Sequence, residues 1–222
     1  MYSNVRNEFR AFNNKFEGTI HHMYLDVKGL VTIGVGNLID SSSIAMTLPF
    51  QYKNGKRATK EEIKQEWDKI KLMQDKKGIG GGKFGIFTTL FLNEIAISKL
   101  VKNRLDSNER VLLSRPQYKE FERWPADAQL ALLSMAWAAG AAKFDNWRNF
   151  KAACIDMDFD TVAEESRMIE KGQPKEFKER NKLTHFLFKN AAAVIASESA
   201  GFREFQRSVL YYPAILCKPI TL

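Results

Sequence analysis

At 222 residues, with 45% hydrophobic and 27% charged residues, the chain is long enough for one sizeable domain or two small lobes sharing a core, and too apolar to be disordered. No apolar run approaches the roughly 20 residues that cross a bilayer, and the start MYSNVRNEFRAF lacks an apolar h-region, so neither stable membrane insertion nor a cleavable signal peptide is expected. Lys and Arg number 34 against 26 Asp and Glu, a net +8 that favours anionic partners such as nucleic acid, acidic lipid or wall polymers, and equally serves solubility.

Residues 3–16 carry Val5, Phe9, Phe12 and Phe16 on one helical face. From Met23 to Ile39 the pattern changes to strand formers, Tyr24, Val31, Ile33 and Val35, punctuated by Gly29, Gly34 and Gly36. Lys28-Gly29 reads as a tight turn, so a small antiparallel hairpin sheet is expected. A loop over Asp40 to Ser43 and Lys53-Asn54-Gly55 leads to T-K-E-E, where Thr59 and Glu62 form a capping box. Ile63, Trp67, Ile70 and Met73 then mark a helix.

The breaker segment Lys77 to Gly85, K-G-I-G-G-G-K-F-G, is expected to be a flexible connector, followed by a helix from about Phe87 to Arg104. It lacks the G-K-[ST] ending of a phosphate loop, because Phe84 follows Lys83. Ala126 to Ala139 is apolar nearly all round, the mark of a helix buried at a domain's centre. Helices are expected over Asn146–Asp156, Phe159–Glu170 and Phe177–Ala196, with Gly172 and Pro174 separating the last two. The fold class expected is α+β: a small N-terminal antiparallel sheet lobe and a larger helical lobe.

The chemistry concentrates between Glu17 and Asn37, E-G-T-I-H-H-M-Y-L-D-V-K-G-L-V-T-I-G-V-G-N. Glu17 ends a helical pattern, Asp26 follows in a strand-like segment, and Thr32 lies in the next. Two carboxylates held apart by a hairpin are the minimum for hydrolysing a glycosidic bond, one donating a proton and the other activating a water. A partly buried Glu keeps its proton more readily than a hydrated Asp. Thr32 is placed to return across the hairpin to Asp26's side and help hold that water.

The Glu-x8-Asp-x5-Thr spacing with T-I-G-x-G closely resembles the bacteriophage T4-type lysozymes, glycoside hydrolase family 24. The likeness extends to A-Q-L-A-L-L-S-M-A-W-A-A-G at 128–140, K-F-D-N-W-R-N-F-K-A-A at 143–153, F-D-T-V-A-E-E-S-R at 159–167 and E-R-N-K-L-T-H-F-L-F at 179–188. The resemblance implies one lysozyme-like domain over 1–222: an N-terminal lobe at 1–75, an insertion and inter-lobe helix at 76–123, and a helical lobe at 124–222. It implies Glu17 as general acid, Asp26 as second carboxylate and Thr32 as the hydroxyl that positions water. The bond cut would be the β-1,4 link between N-acetylmuramic acid and N-acetylglucosamine, with an inverting outcome and no cofactor or metal. Arg180 matches a basic residue that pairs with the general acid, although spacing alone reads it as a solvated cation. Leu38, Trp137 and Trp147 align with positions lining the family's sugar cleft, and core packing competes for Trp137.

There are departures. Asn37 replaces a histidine used in an ion pair, Ala138 replaces a polar cleft residue, residues 72–91 read as an insertion, and 200–222 run past the family's usual end. That tail mixes basic and aromatic residues, and packing against the body is favoured over membrane-surface contact. His21 and His22 are adjacent and His185 is isolated, which fits no zinc site. Cys154 and Cys217 fit no zinc or redox spacing and are expected as free thiols.

The expected protein is therefore a monomeric peptidoglycan muramidase. It would act on the periplasmic wall after holin release as a phage endolysin, or after secretion-system delivery as an antibacterial effector. An immunity protein is expected only in the second case. The rivals are a lytic transglycosylase and a non-catalytic basic module binding wall polymer or nucleic acid. No nucleic-acid-binding motif supports the last.

Overall fold

The computed structural model describes residues 1–172, 175–202 and 204–216; Pro174, Cys217 and the rest of the terminal segment lie outside the described residues. The protein is α+β and mainly helical, with one three-stranded antiparallel sheet. The chain divides into two compact units, a helical one formed by 1–16 with 105–222, and a sheet unit formed by 17–104.

The bounds of these units differ from the lobe bounds that the resemblance implies. Helix α1 (Ser3–Glu17) buries Val5, Phe9 and Phe12 completely, and up to Phe16 it belongs to the helical unit. Phe9 meets Trp137 edge-on at 5.2 Å and Phe12 meets Tyr212 at 5.1 Å. Three large apolar side chains on one face need a core to cover them, and the helical unit supplies it.

In the sheet unit, β1 (Ile20–Leu25) pairs with β2 (Val31–Gly34), which pairs with β3 (Asn37–Leu38). The register sets Tyr24 opposite Thr32 and Thr32 opposite Leu38. Helix α2 (Ser42–Ala45) interrupts the expected loop. Helix α3 (Lys60–Leu72) starts on the full Thr59–Glu62 capping box, so two of its first N–H groups find side-chain partners as the sequence predicts.

The glycine-rich segment differs from the expected connector. Gly81–Phe87 forms a short 3-10 helix, and the His22 ring nitrogen Nε2 donates to the Gly81 carbonyl at 2.9 Å. A Cβ on Gly81 would stand 3.2 Å from the Tyr24 ring, and one on Gly85 3.2 Å from the His22 ring. Here glycine permits close approach of backbone to ring, a use that composition does not distinguish from flexibility. Residues 88–93 then lie outside any helix, so α4 (Glu94–Leu113) begins several residues beyond its expected start. The buried Glu66 carboxylate pins this stretch by accepting from Thr89 N (2.7 Å), Thr89 Oγ1 (2.6 Å) and Leu90 N (3.0 Å).

In the helical unit, α5 (Ala126–Ala139) is buried from Ala126 to Trp137, as its nearly all-round apolar sequence predicts. It packs against α8 (Lys175–Ser199), and α6 (Arg148–Asp156) and α7 (Phe159–Glu165) complete the layer. The α7 helix stops five residues before the expected end. The described part of the tail packs on this unit: the backbone N–H groups of Tyr211 and Tyr212 donate to Asp127, and the Asn190 amide donates to the Ala214 carbonyl. Cys154 is a buried free thiol whose pKa is pushed up by that burial.

Candidate active site

The sheet unit carries Glu17, Asp26, Thr32 and Leu38. Glu17 is the last residue of α1, and Gly18 (φ +66) lets the chain turn at once into β1. Its carboxylate lies against the turn between β2 and β3. A Cβ on Gly36 would meet Glu17 Oε2 at 3.2 Å and Arg104 Nη1 at 3.9 Å. Gly36 also has φ +68, so both its conformation and the space beside it call for glycine. Asn37 is buried and folds its Oδ1 back to accept from Val35 N–H at 3.2 Å, which holds this same turn.

Asp26 opens the β1–β2 turn. Its Oδ1 accepts from the N–H groups of Lys28 (2.8 Å) and Leu30 (2.9 Å), a local cap that fixes the carboxylate's direction. Both bonds fall on one oxygen, and no donor among the described residues meets Oδ2. The turn is braced from outside. Lys71 Nζ donates to the Gly29 carbonyl at 3.1 Å and to both Asp40 oxygens at 2.7 and 2.9 Å. Gln74 donates to the same carbonyl at 3.1 Å. Partial burial raises the Asp40 pKa, but the Lys71 ammonium and the Val31 N–H outweigh it and hold the carboxyl below its usual range.

Thr32 sits in β2, nearly buried, and its hydroxyl donates to the Leu30 carbonyl at 3.2 Å. With its proton so engaged, the hydroxyl presents acceptor lone pairs to any further partner. Directly opposite Thr32 on β1 stands Tyr24, and Asp26 lies farther along at the turn. Tyr24 feels both candidate carboxylates: burial first, then the charges of Glu17 and Asp26, push its phenol pKa well above normal, with Arg104 opposing. A Tyr so placed stays a neutral hydroxyl. Leu38, opposite Thr32 on β3, is 56% exposed and offers an apolar surface beside the site.

The other three expected residues belong to the helical unit. Trp137 is 2% exposed and packs on Phe9, which fits core packing better than a cleft wall. Trp147 is half-buried in a ring cluster with Phe144 and Phe150, leaving part of its indole accessible. Arg180 is 1% exposed, its Nη1 donates to the Ser134 carbonyl at 3.2 Å, and its guanidinium lies 4.6 Å from the Phe16 ring centre. The solvated helix-face reading of Arg180 is therefore replaced by a buried cation held by hydrogen bonding and an aromatic face.

Sequence reasoning missed Arg104 and the bracing role of Lys71 and Gln74. On helical stretches each reads as a solvated polar residue, and no local signal marks the turn it reaches. Tyr24 was legible only as a strand former, although its place between the two carboxylates is visible in the sequence. No protein-family model matches the chain, and no curated protein matches it. Among the described residues no cluster of His, Cys, Asp and Glu could hold a metal ion, and no helix is long and apolar enough to cross a membrane.

Proposed function

We propose that the protein is a muramidase that hydrolyses the β-1,4 bond between N-acetylmuramic acid and N-acetylglucosamine in peptidoglycan. The observation that carries this reading is the sheet unit's arrangement of a helix-end carboxylate seated on a glycine turn and a second carboxylate oriented through one oxygen. Glu17 protonates the leaving glycosidic oxygen. Asp26, through Oδ2, takes a proton from water as it attacks the anomeric carbon on the opposite face, and Thr32 accepts a hydrogen bond from that water. Inverting chemistry of this kind asks for carboxyl groups roughly 6.5–9.5 Å apart, wide enough to admit the water. Leu38, exposed beside Thr32 in the sheet unit, supplies apolar surface suited to sugar faces. No cofactor enters the scheme.

The test is mass spectrometry of purified peptidoglycan digested by the wild type, Glu17→Gln and Asp26→Asn. Reducing muropeptides from the wild type, and from neither variant, are expected. Anhydro-muropeptides, made by Asp26→Asn as well, would replace the hydrolase by a lytic transglycosylase that needs one acid. No soluble product from any of the three would leave a binding module.

A further inference from the structure

The general acid of the proposed reaction needs more than a carboxyl group; it needs one held still against the bond to be protonated. A misplacement of about 1 Å is enough to cost on the order of a hundredfold in rate. Glu17 ends a helix and precedes a glycine, a place where a side chain is poorly restrained by its own backbone. The restraint must come from what the carboxylate rests on.

Two residues of the sheet unit lie where it rests. One is Gly36, whose missing side chain leaves room for Glu17 Oε2. The other is Arg104, from α4, sixty-eight residues further along the chain. Its Nη1 donates to the Gly36 carbonyl. The same nitrogen and the Glu17 carboxylate both come within 4 Å of the point where a Gly36 Cβ would sit. Guanidinium and carboxylate thus converge on one backbone residue, with the arginine tied to that residue's carbonyl. Arginine suits this geometry, because its planar fork serves a carbonyl with one N–H and directs others toward a carboxylate. Arg104 also acts on Tyr24, opposing the effect of the two carboxylates on the phenol.

We propose that Arg104 is a positioning residue for the general acid: anchored on the Gly36 carbonyl, it holds the Glu17 carboxylate in place on the β2–β3 turn. It acts through Glu17 and Gly36 and need not touch the sugar. The inference rests on the muramidase reading, and it gives a part in the site to a residue on which the resemblance is silent.

The experiment compares wild type, Arg104→Gln and Arg104→Lys. Steady-state turnover on purified peptidoglycan is measured together with thermal unfolding and the side-chain carboxyl ¹³C resonances of Glu17 and Asp26. For Arg104→Gln, kcat is expected to fall roughly 100-fold with KM nearly unchanged, the pattern of an interaction used in the transition state. Arg104→Lys, which keeps a charge and a donor, is expected to recover at least about tenfold over Gln. The Glu17 carboxyl resonance should move in the Gln variant while that of Asp26 stays.

A Gln variant within about threefold of wild-type kcat would overturn the proposal, as would equal losses in Gln and Lys with an unmoved Glu17 resonance. If the wild type releases no sugar ends, the muramidase reading fails. The Glu17 resonance then still decides whether Arg104 holds this carboxylate.

Discussion

The two units of this chain are held together by different means. The helical unit is built by burial: Phe9, Phe12, Trp124, Trp137, Phe144, Phe150 and Phe159 are almost wholly inside, around a helix with no solvent face. In the sheet unit, polar brackets set the turns: Asp26 on its own turn, Lys71 and Gln74 on Gly29, Glu66 on 89–90, and Asn37 on Val35. The charge is divided unevenly as well. The sheet unit holds fourteen Lys and Arg against nine Asp and Glu, the helical unit twenty against seventeen. Apolar burial is non-directional and gives bulk stability, whereas hydrogen-bonded turns fix directions. A site that must aim two carboxylates benefits from the second kind of construction.

The sharpest way to break this comparison is to exchange the roles of acids in the two units. Asp127, buried at the start of α5, accepts from Asn190 Nδ2, Tyr211 N and Tyr212 N. Burial raises its pKa, with those three donors opposing. Asp127→Ala strands them and should lower unfolding stability by about 3 kcal/mol, while kcat of the folded fraction stays unchanged. Glu17→Gln should do the reverse, abolishing turnover with little change in Tm. Denaturant unfolding and turnover on the same samples would decide. Loss of both properties in either variant would erase the distinction.

Gly36→Ala probes the sheet unit's dependence on backbone geometry. A positive φ costs an alanine about 1 kcal/mol, and the new methyl presses on Glu17 Oε2. Turnover should fall at least about tenfold, a larger effect than the stability loss explains. Equal activity would mean the turn does not hold the acid.

A smaller effect is expected from the Asp40–Lys71 pair. Because the folded-state pKa of Asp40 lies below its ordinary value of 3.8, its contribution is complete above that pH and is lost as pH falls through the lowered value. Wild type should therefore lose stability below about pH 4 more steeply than Asp40→Asn. Parallel unfolding curves from pH 6 to pH 3 would remove the brace from the account.

The smallest effect concerns charge. If the protein is the proposed muramidase and its basic excess holds it on an anionic wall, lysis rates should decline several-fold between about 0.05 and 0.5 M salt. Flat rates would count against that role.

Several features were plain in the sequence because their causes are local. Thr59 and Glu62 announce their cap by spacing, and Ala126–Ala139 announces burial by having no polar face. The Lys28-Gly29 turn follows from the break between two β-rich runs. What stayed hidden depends on partners far along the chain. The apolar face of α1 says that a core covers it, not which one. Gly81 and Gly85 look like linker glycines until the rings of Tyr24 and His22 lie against them. Arg104 and Arg180 look alike on paper, yet one reaches the Gly36 carbonyl and the other is buried over Phe16.

The helical unit is discontinuous: its first sixteen residues are separated from the rest by the whole sheet unit. During synthesis the sheet unit emerges as an unbroken segment and can close on local contacts. Helix α1 has no such opportunity. At roughly 5–20 residues per second, the ribosome needs on the order of ten seconds to travel from Phe9 to its ring partner Trp137. For that interval Val5, Phe9 and Phe12 have nothing to cover them. The helix that carries the proposed acid is thus among the last to find its place, and a nascent or truncated chain would hold Glu17 on an undocked helix.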